Sequence, residues 1–391
     1  MNRFSEVTPR KGTRSVKWDL VKQMYEDEEV LPMWVADMDF QAPEAIVQAV
    51  QNRVEHGIFG YTWPDDKVKA EIKDWLHTRH QWSIESPWIT YSPGVIPSLH
   101  MIIQSLTDIA DHVLIQTPVY PPFYSVVRNH GRHIVKNQLQ YENGEYTIDF
   151  EDFEKKIKDH NVSMFILCNP HNPVGRVWTK DELNKMLEIC LKHDVTIVSD
   201  EIHADLIYKD HKHIPIASLS EDAAKQTITC LSPTKTFNLA GLQASYVVTP
   251  DAEKRKRMDK QFQNQGMMML NTLGLTALEA AYEHGEEWLE ELLDTLQQNR
   301  DYVEKRIHEE TDKINVIRAE GTYLLWLDCR GLQMSHEEIK TFMKEQAKVG
   351  LNDGASFGEE GEGFMRINIA APFSIVEDGV SRILQAVHTL K

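Results

Sequence analysis

The sequence predicts an α/β protein with a large domain, built on a mostly parallel sheet covered by helices, and a smaller α+β domain toward the C-terminus. Three observations lead there. A strand-helix-strand unit lies near the middle: MFILCNP (164–170) and VTIVSDEIH (195–203) are short apolar, β-rich runs, and TKDELNKMLEICLKH between them carries a capping box at Thr179 and Glu182. These strands lack strict apolar-polar alternation, as a sheet buried on both faces requires. Beyond a long helical stretch, the chain turns to strands separated by a helix, the pattern of a second layer of different build.

Taken in order, PEAIVQAVQNRVEHG predicts a helix over 43–56, with Pro43 suited to its first turn and Gly57 to its stop. QTITCLSP and ASYVVTP extend the central sheet. In such sheets ligands bind beyond the carboxyl ends of the strands, so the residues after each apolar run are the ones to inspect. From Gly274 to Glu310 the chain is helical, longer than a usual helix, and a break is expected near His284-Gly285. VIRAEGTYLLWLDCR and FMRINIAAP then read as strands, with a helix at SHEEIKTFMKEQAK. With 391 residues, two domains are expected on a prior of about 150 residues each. The expected division is an N-terminal segment 1–42 packing with the small domain, a large domain 43–285 and a small domain 286–391. No internal repeat or low-complexity tract interrupts it.

Composition narrows the function. Apolar residues make up 41% and charged residues 26% of the chain, values of a soluble globular protein. The excess of 60 acidic over 42 basic residues gives a net charge of -18, which repels nucleic acid and anionic membranes. No apolar run has the length of a signal-peptide core or a membrane span, so a cytoplasmic protein is expected. Cys168, Cys190, Cys230 and Cys329 are widely spaced, with no C-x-x-C pair, and read as buried reduced thiols. His203, His211 and His213 span a strand end and a polar loop; two of them are expected to face water, and no metal is expected.

Chemistry concentrates after two of the apolar runs. Ser232-Pro233-Thr234-Lys235-Thr236-Phe237-Asn238 follows TITCL, and Asp200 ends VTIVSD. A lone S-x-x-K is a weak signal. A lysine and a carboxylate delivered into one crevice are more, because pyridoxal 5'-phosphate needs both: an amine to bond its aldehyde and an acid paired to its ring nitrogen. Lys235 and Asp200 fit those roles.

With LPMWVADMDF, HGIFGYT, SPGVIPS, TPVYPPF, NPHNPVGRVW, SDEIHADL, SPTKTFNLAGLQ and RINIA in order along the chain, the sequence resembles the fold-type-I pyridoxal-phosphate enzymes of the class I/II aminotransferase superfamily. Within it, the sequence is similar to the MalY/PatB-type cystathionine β-lyases, or C-S lyases. The resemblance implies the PLP-dependent transferase-like fold, also called the aspartate aminotransferase fold. It also implies that Asn172 hydrogen-bonds the cofactor's phenolic oxygen, with His203 near the same oxygen where relatives more often have tyrosine. Tyr120 would stack on the pyridine ring. Gly94, Val95 and Ile96 would open a helix whose amides hold the phosphate, with Ser232 and Thr234 adding hydroxyls. Tyr61 would reach the phosphate of a neighbouring subunit, which implies a homodimer. Arg366 would hold the substrate carboxylate as a bidentate fork, and Ala36 would lie in the segment folded over the substrate. One departure stands out: many aminotransferases carry an arginine on the phosphate at the place held here by Gln243.

The resemblance implies β-elimination from L-cystathionine or related S-substituted cysteines, giving a thiol such as homocysteine, pyruvate and ammonia. Nothing in Lys235 or Asp200 chooses between that and transamination by a class I/II aminotransferase. A regulatory, partner-binding protein built on the same fold is a third reading.

Overall fold

The computed structural model describes residues 3–267 and 269–390. Its centre is a seven-stranded sheet in the order Ile89–Ser92, Ser245–Val248, Thr227–Leu231, Thr196–Asp200, Val162–Cys168, His112–Thr117, His133–Gln138. Ser245–Val248 runs antiparallel to both of its neighbours, and the remaining pairs are parallel. The period of two along Val162–Cys168 shows why the apolar runs are continuous. Phe165 and Leu167 enter one core cluster with Trp178, Leu183 and Met186, while Met164, Ile166 and Cys168 enter another with Leu99, Ile102 and Phe123. Helices cover both faces, so neither side of the strand meets water.

The chain runs through His112–Thr117 to the edge strand His133–Gln138, then returns on the other side of His112–Thr117 with Val162–Cys168. Strand order therefore reverses between these two, and a crevice opens above their carboxyl ends. The crossover helix Lys180–Lys192 starts at the capping box expected from the sequence, with Thr179 and Glu182 bonded reciprocally. Pro43 is the cap of helix Glu44–Glu55 and lies just outside its first turn, while Gly57 takes φ +73 past its end.

The long helical stretch breaks where expected, into Thr272–His284 and Glu286–Glu310 with Gly285 between them. A Cβ on Gly285 would lie 2.4 Å from the ring of Phe237, so the break is also a close approach of helix to the loop that carries Lys235. Gly285→Ala is expected to lower stability by about 1–3 kcal/mol through overpacking. A thermal melt checks this; an unchanged midpoint would mean that Phe237 shifts freely.

A second, antiparallel sheet has the order Asn315–Ile317, Leu324–Asp328, Phe364–Asn368, Asn352–Asp353. Helices His336–Glu345 and Phe373–His388 bury Ile339, Phe342, Val376, Val380 and Ile383 in the same core cluster as Leu325 and Ile367 of this sheet. Leu31–Pro32 pairs in parallel with Val349–Gly350. The following residues arch over the crevice. Asn238 holds the carbonyls of Met38 and Phe40, Asn368 holds those of Val35 and Asp37, and Arg10 and Lys17 pair with Asp37 and Asp39. Among the described residues, no helix is long and apolar enough to cross a membrane. All four cysteines are buried and unpaired.

Candidate active site

A cavity of about 200 Å³ lies above the carboxyl ends of the strands, beneath the arch. Its walls follow from the topology. Gly94, Val95 and Ile96 come after Ile89–Ser92, Tyr120 after His112–Thr117 and Asn172 after Val162–Cys168. His203 follows Asp200, and Thr234 and Lys235 follow Thr227–Leu231; all of these, with Ala36 of the arch, line the cavity. Because Ser245–Val248 is antiparallel, it is the residues before it, Gln243 and Ala244, that face the same space. A larger, more open hollow of about 670 Å³ between Lys136, Tyr141, Arg330 and Glu360 contains none of these groups. The residues singled out in the sequence, Asp200, His203 and Lys235 among them, converge on the smaller one.

Burial leaves several of those side chains with unmet demands. Lys235 Nζ donates to the carbonyl of Ala36, and burial, followed by the nearby Arg366 charge, pulls its pKa down to about 8. Burial pushes Asp200 up to about 7, against the stabilising N-H of Ile202 at 3.1 Å. Arg366 is 3% exposed and, among the described residues, has no carboxylate partner. It donates to Asn172 Oδ1 at 2.9 Å, Asn352 Oδ1 at 2.7 Å and the Trp34 carbonyl at 3.2 Å, and it lies over the ring of Phe357. Its Nε is buried without a partner, and burial lowers its pKa to about 10. His203 is buried with an unpartnered Nδ1; burial, then the charges of Lys235 and Arg366, hold it down to about 3, so its ring is neutral. Burial likewise raises the Tyr120 hydroxyl.

A buried guanidinium without an anion is unfavourable unless something else supplies one. The same holds for a buried carboxyl displaced toward neutrality and an amine displaced toward it from the other side. One ligand that carries an aldehyde, a basic ring nitrogen and a phosphate, together with a carboxylate substrate, would meet all of these demands. The Asn172 amide is oriented for it: guanidinium has no acceptor, so Asn172 must turn its oxygen to Arg366 and is left with its NH2 to donate elsewhere. At the helix Val95–Leu106, capped by Gly94, the first-turn amides have no intrahelical partner and border the cavity, a site suited to phosphate. Pyridoxal 5'-phosphate fits this set of residues.

Three predicted residues stand apart from the lining. Ser232 lies one step behind it, capping the lysine turn; its Oγ is 2.7 Å from the Ala244 carbonyl and 2.6 Å from Thr234 Oγ1. Arg366 reaches the cavity wall through Asn172. Tyr61 is 98% exposed, in a stretch with exposed Ile58, Phe59 and Trp63. One expectation needs correcting: of the three histidines, two do not face water. His203 and His213 are both buried, and His213 Nε2 lies 2.8 Å from Glu201 Oε2, because the polar loop folds back against the residues that follow the central strand Thr196–Asp200. Among the described residues, no group of three or more His, Cys, Asp or Glu side chains is placed to hold a metal ion.

Sequence reasoning missed Asn352 and Tyr323. Asn352 meets Arg366 through strand register, and the Tyr323 hydroxyl bonds the Ala36 carbonyl at 2.9 Å. Neither stands in a motif or at a strand end of the large sheet, so no local signal marks them.

A family model described as aminotransferase class I and II matches residues 28–382. The chain is 46% identical to cystathionine beta-lyase PatB of Bacillus subtilis, over 98% of this chain and 99% of that one. Among solved structures, a PLP-bound putative aminotransferase from Clostridium difficile superposes with TM-score 0.96 at 50% identity, covering 98% of this chain and 99% of that one. A PLP-bound C-S lyase from Staphylococcus hominis superposes with TM-score 0.91 at 31% identity, covering 98% and 97%.

Proposed function

Because the chain belongs to the class I and II aminotransferase family, a PLP-dependent family of aspartate aminotransferase-like fold, we propose that it is a carbon-sulfur lyase. Its substrate would be L-cystathionine or a related S-substituted cysteine. The reaction removes the α-proton and breaks the Cβ-S bond, and the sulfur leaves as a thiol, homocysteine from cystathionine. The three-carbon remainder takes up water to give pyruvate and ammonia. The observation that carries an amino-acid substrate is the buried Arg366, held behind the cavity wall by Asn172 and paired with no carboxylate among the described residues. The likeness to cystathionine β-lyases over nearly the whole chain supports elimination as the outcome.

Bound pyridoxal phosphate supplies an electron-accepting ring that stabilises the carbanion at the substrate α-carbon. The remaining work falls to this chain. Lys235 would hold the cofactor by its amine and would serve as general base for the substrate α-proton; its depressed pKa favours a neutral fraction at physiological pH. Asp200 would hold the proton on the ring nitrogen. Asn172 would donate to the phenolic oxygen, beside the neutral His203, and Tyr120 would pack on the ring. Gly94, Val95, Ile96 and Thr234, braced by Ser232, would hold the phosphate, with Gln243 beside them as a neutral donor in place of a cation. Arg366 fixes the substrate carboxylate, and Ala36 closes the site from the arch. The exposed Tyr61 and its apolar neighbours suit contact with a second copy, placing Tyr61 at that copy's phosphate. A cytoplasmic location accords with four unpaired thiols.

Purified protein with pyridoxal phosphate and cystathionine is expected to release pyruvate, ammonia and thiol without any added ketoacid. Amino transfer that requires a ketoacid, with no pyruvate, would reject elimination and favour the second reading, transamination, to which the C. difficile neighbour points. Arg366→Lys is expected to raise KM by about 10- to 100-fold, the loss of one strong charged hydrogen bond of about 1.5–3 kcal/mol, with a smaller effect on kcat. A KM unchanged in steady-state assays would remove Arg366 from the carboxylate site.

A further inference from the structure

The residues next to the two chemical groups face away from the cavity and meet behind it. Lys235 lines the cavity, whereas Thr236 is fully buried, with its hydroxyl donating to Asp205 Oδ2 at 2.8 Å. Asp200 lines it, whereas the buried Glu201 bonds His213. Asp205 Oδ1 accepts from His80 Nε2 at 2.8 Å and from Trp75 Nε1 at 3.1 Å, so three donors fix this buried carboxylate. The His80 and His213 rings pack edge to face at 5.3 Å, closing the network between the two motifs.

The lysine turn, Pro233–Thr236, is four residues long. A single turn has no stability of its own, so its orientation must come from tertiary anchors. Asp205 belongs to the loop that follows Asp200 and carries His203 into the cavity, and the Thr236-Asp205 bond ties that loop to the lysine turn. We propose that Thr236 and Asp205 are positioning residues: their bond sets the amine of Lys235 against the ring and the substrate α-carbon without touching either. The inference rests on Lys235 being the cofactor lysine.

Thr236→Val keeps the shape and removes the donor; Thr236→Ser keeps the donor. In holoenzyme, Thr236→Val is expected to retain pyridoxal phosphate and to hold KM within about twofold. Its kcat should fall by about 10²-fold, the scale of a 1 Å misplacement. The share of cofactor fixed to Lys235 by borohydride, measured by mass of the labelled peptide, should fall as well, and Thr236→Ser should restore both. Wild-type kcat and labelling in Thr236→Val would overturn the proposal. So would losses that Thr236→Ser does not rescue, or that only follow a drop in melting temperature and cofactor content. If Thr236→Val does not fold, Thr236→Ala, which removes the same donor without setting a methyl against the carboxylate, takes its place; unchanged kcat and labelling there overturn the proposal equally. Labelling does not depend on which reaction is catalysed, so failure of the lyase reading and failure of this one are read separately.

Discussion

Lys235→Ala is expected to bind no cofactor covalently and to lose at least about 10³-fold in kcat, since it removes both the attachment point and the general base. The structure gives the reason for so large an effect: among the groups lining the cavity, Lys235 is the only lysine, and its amine is turned under the arch toward the Ala36 carbonyl. The measurement is borohydride reduction followed by peptide mapping, with pyruvate release in parallel. A Lys235→Ala protein that still turned over at the wild-type rate would overturn the assignment. A pH dependence follows from the same residue. Attachment needs the neutral amine, and burial lowers the lysine pKa to about 8. Uptake of pyridoxal phosphate by the apoprotein should therefore speed up as pH rises and level off above about 8. An unperturbed lysine would keep accelerating toward pH 10.

Asp200→Ala is expected to retain part of the bound pyridoxal phosphate but to lose about 10²- to 10⁴-fold in kcat, because the ring nitrogen loses the acid that keeps its proton. Burial raises this carboxyl to about 7, and a cationic ring N-H brought beside it would favour its charged form. Each unit by which that pKa falls on binding corresponds to about 1.36 kcal/mol of mutual stabilisation. Cofactor affinity should therefore weaken along with turnover. Absorbance titration with pyridoxal phosphate reads the affinity and steady-state assay reads kcat. Unchanged turnover would show that another acid serves the nitrogen.

Much of this site was legible in the linear order of residues, for a definite reason. A sheet covered on both faces needs continuous apolar strands, and its ligands bind where those strands end. TITCL followed by Ser232 to Lys235, and VTIVSD ending on Asp200, therefore announce a crevice. The capping box at Thr179 and Glu182 and the break at Gly285 are local features too, decided by a few neighbouring side chains and by the lack of one. The outward faces of the same motifs were not legible. Thr236 reads as a bystander until Asp205 is found 2.8 Å away, and His213 reads as a loop residue until Glu201 is seen against it.

Which residues lie at the ends of which strands could be read along the chain, because periodicity and capping act over a few residues. The sequence therefore specified the layered α/β class and most of the chemical groups. How those groups are charged and held follows instead from the folded chain. Arg366 meets Asn172 and Asn352 across strands far apart in the chain, and the arch brings Ala36 to Lys235. The displacement of Lys235 and Asp200 toward neutrality comes from loss of water around them. Desolvation is a property of everything packed around a group, and no window of neighbouring residues contains it.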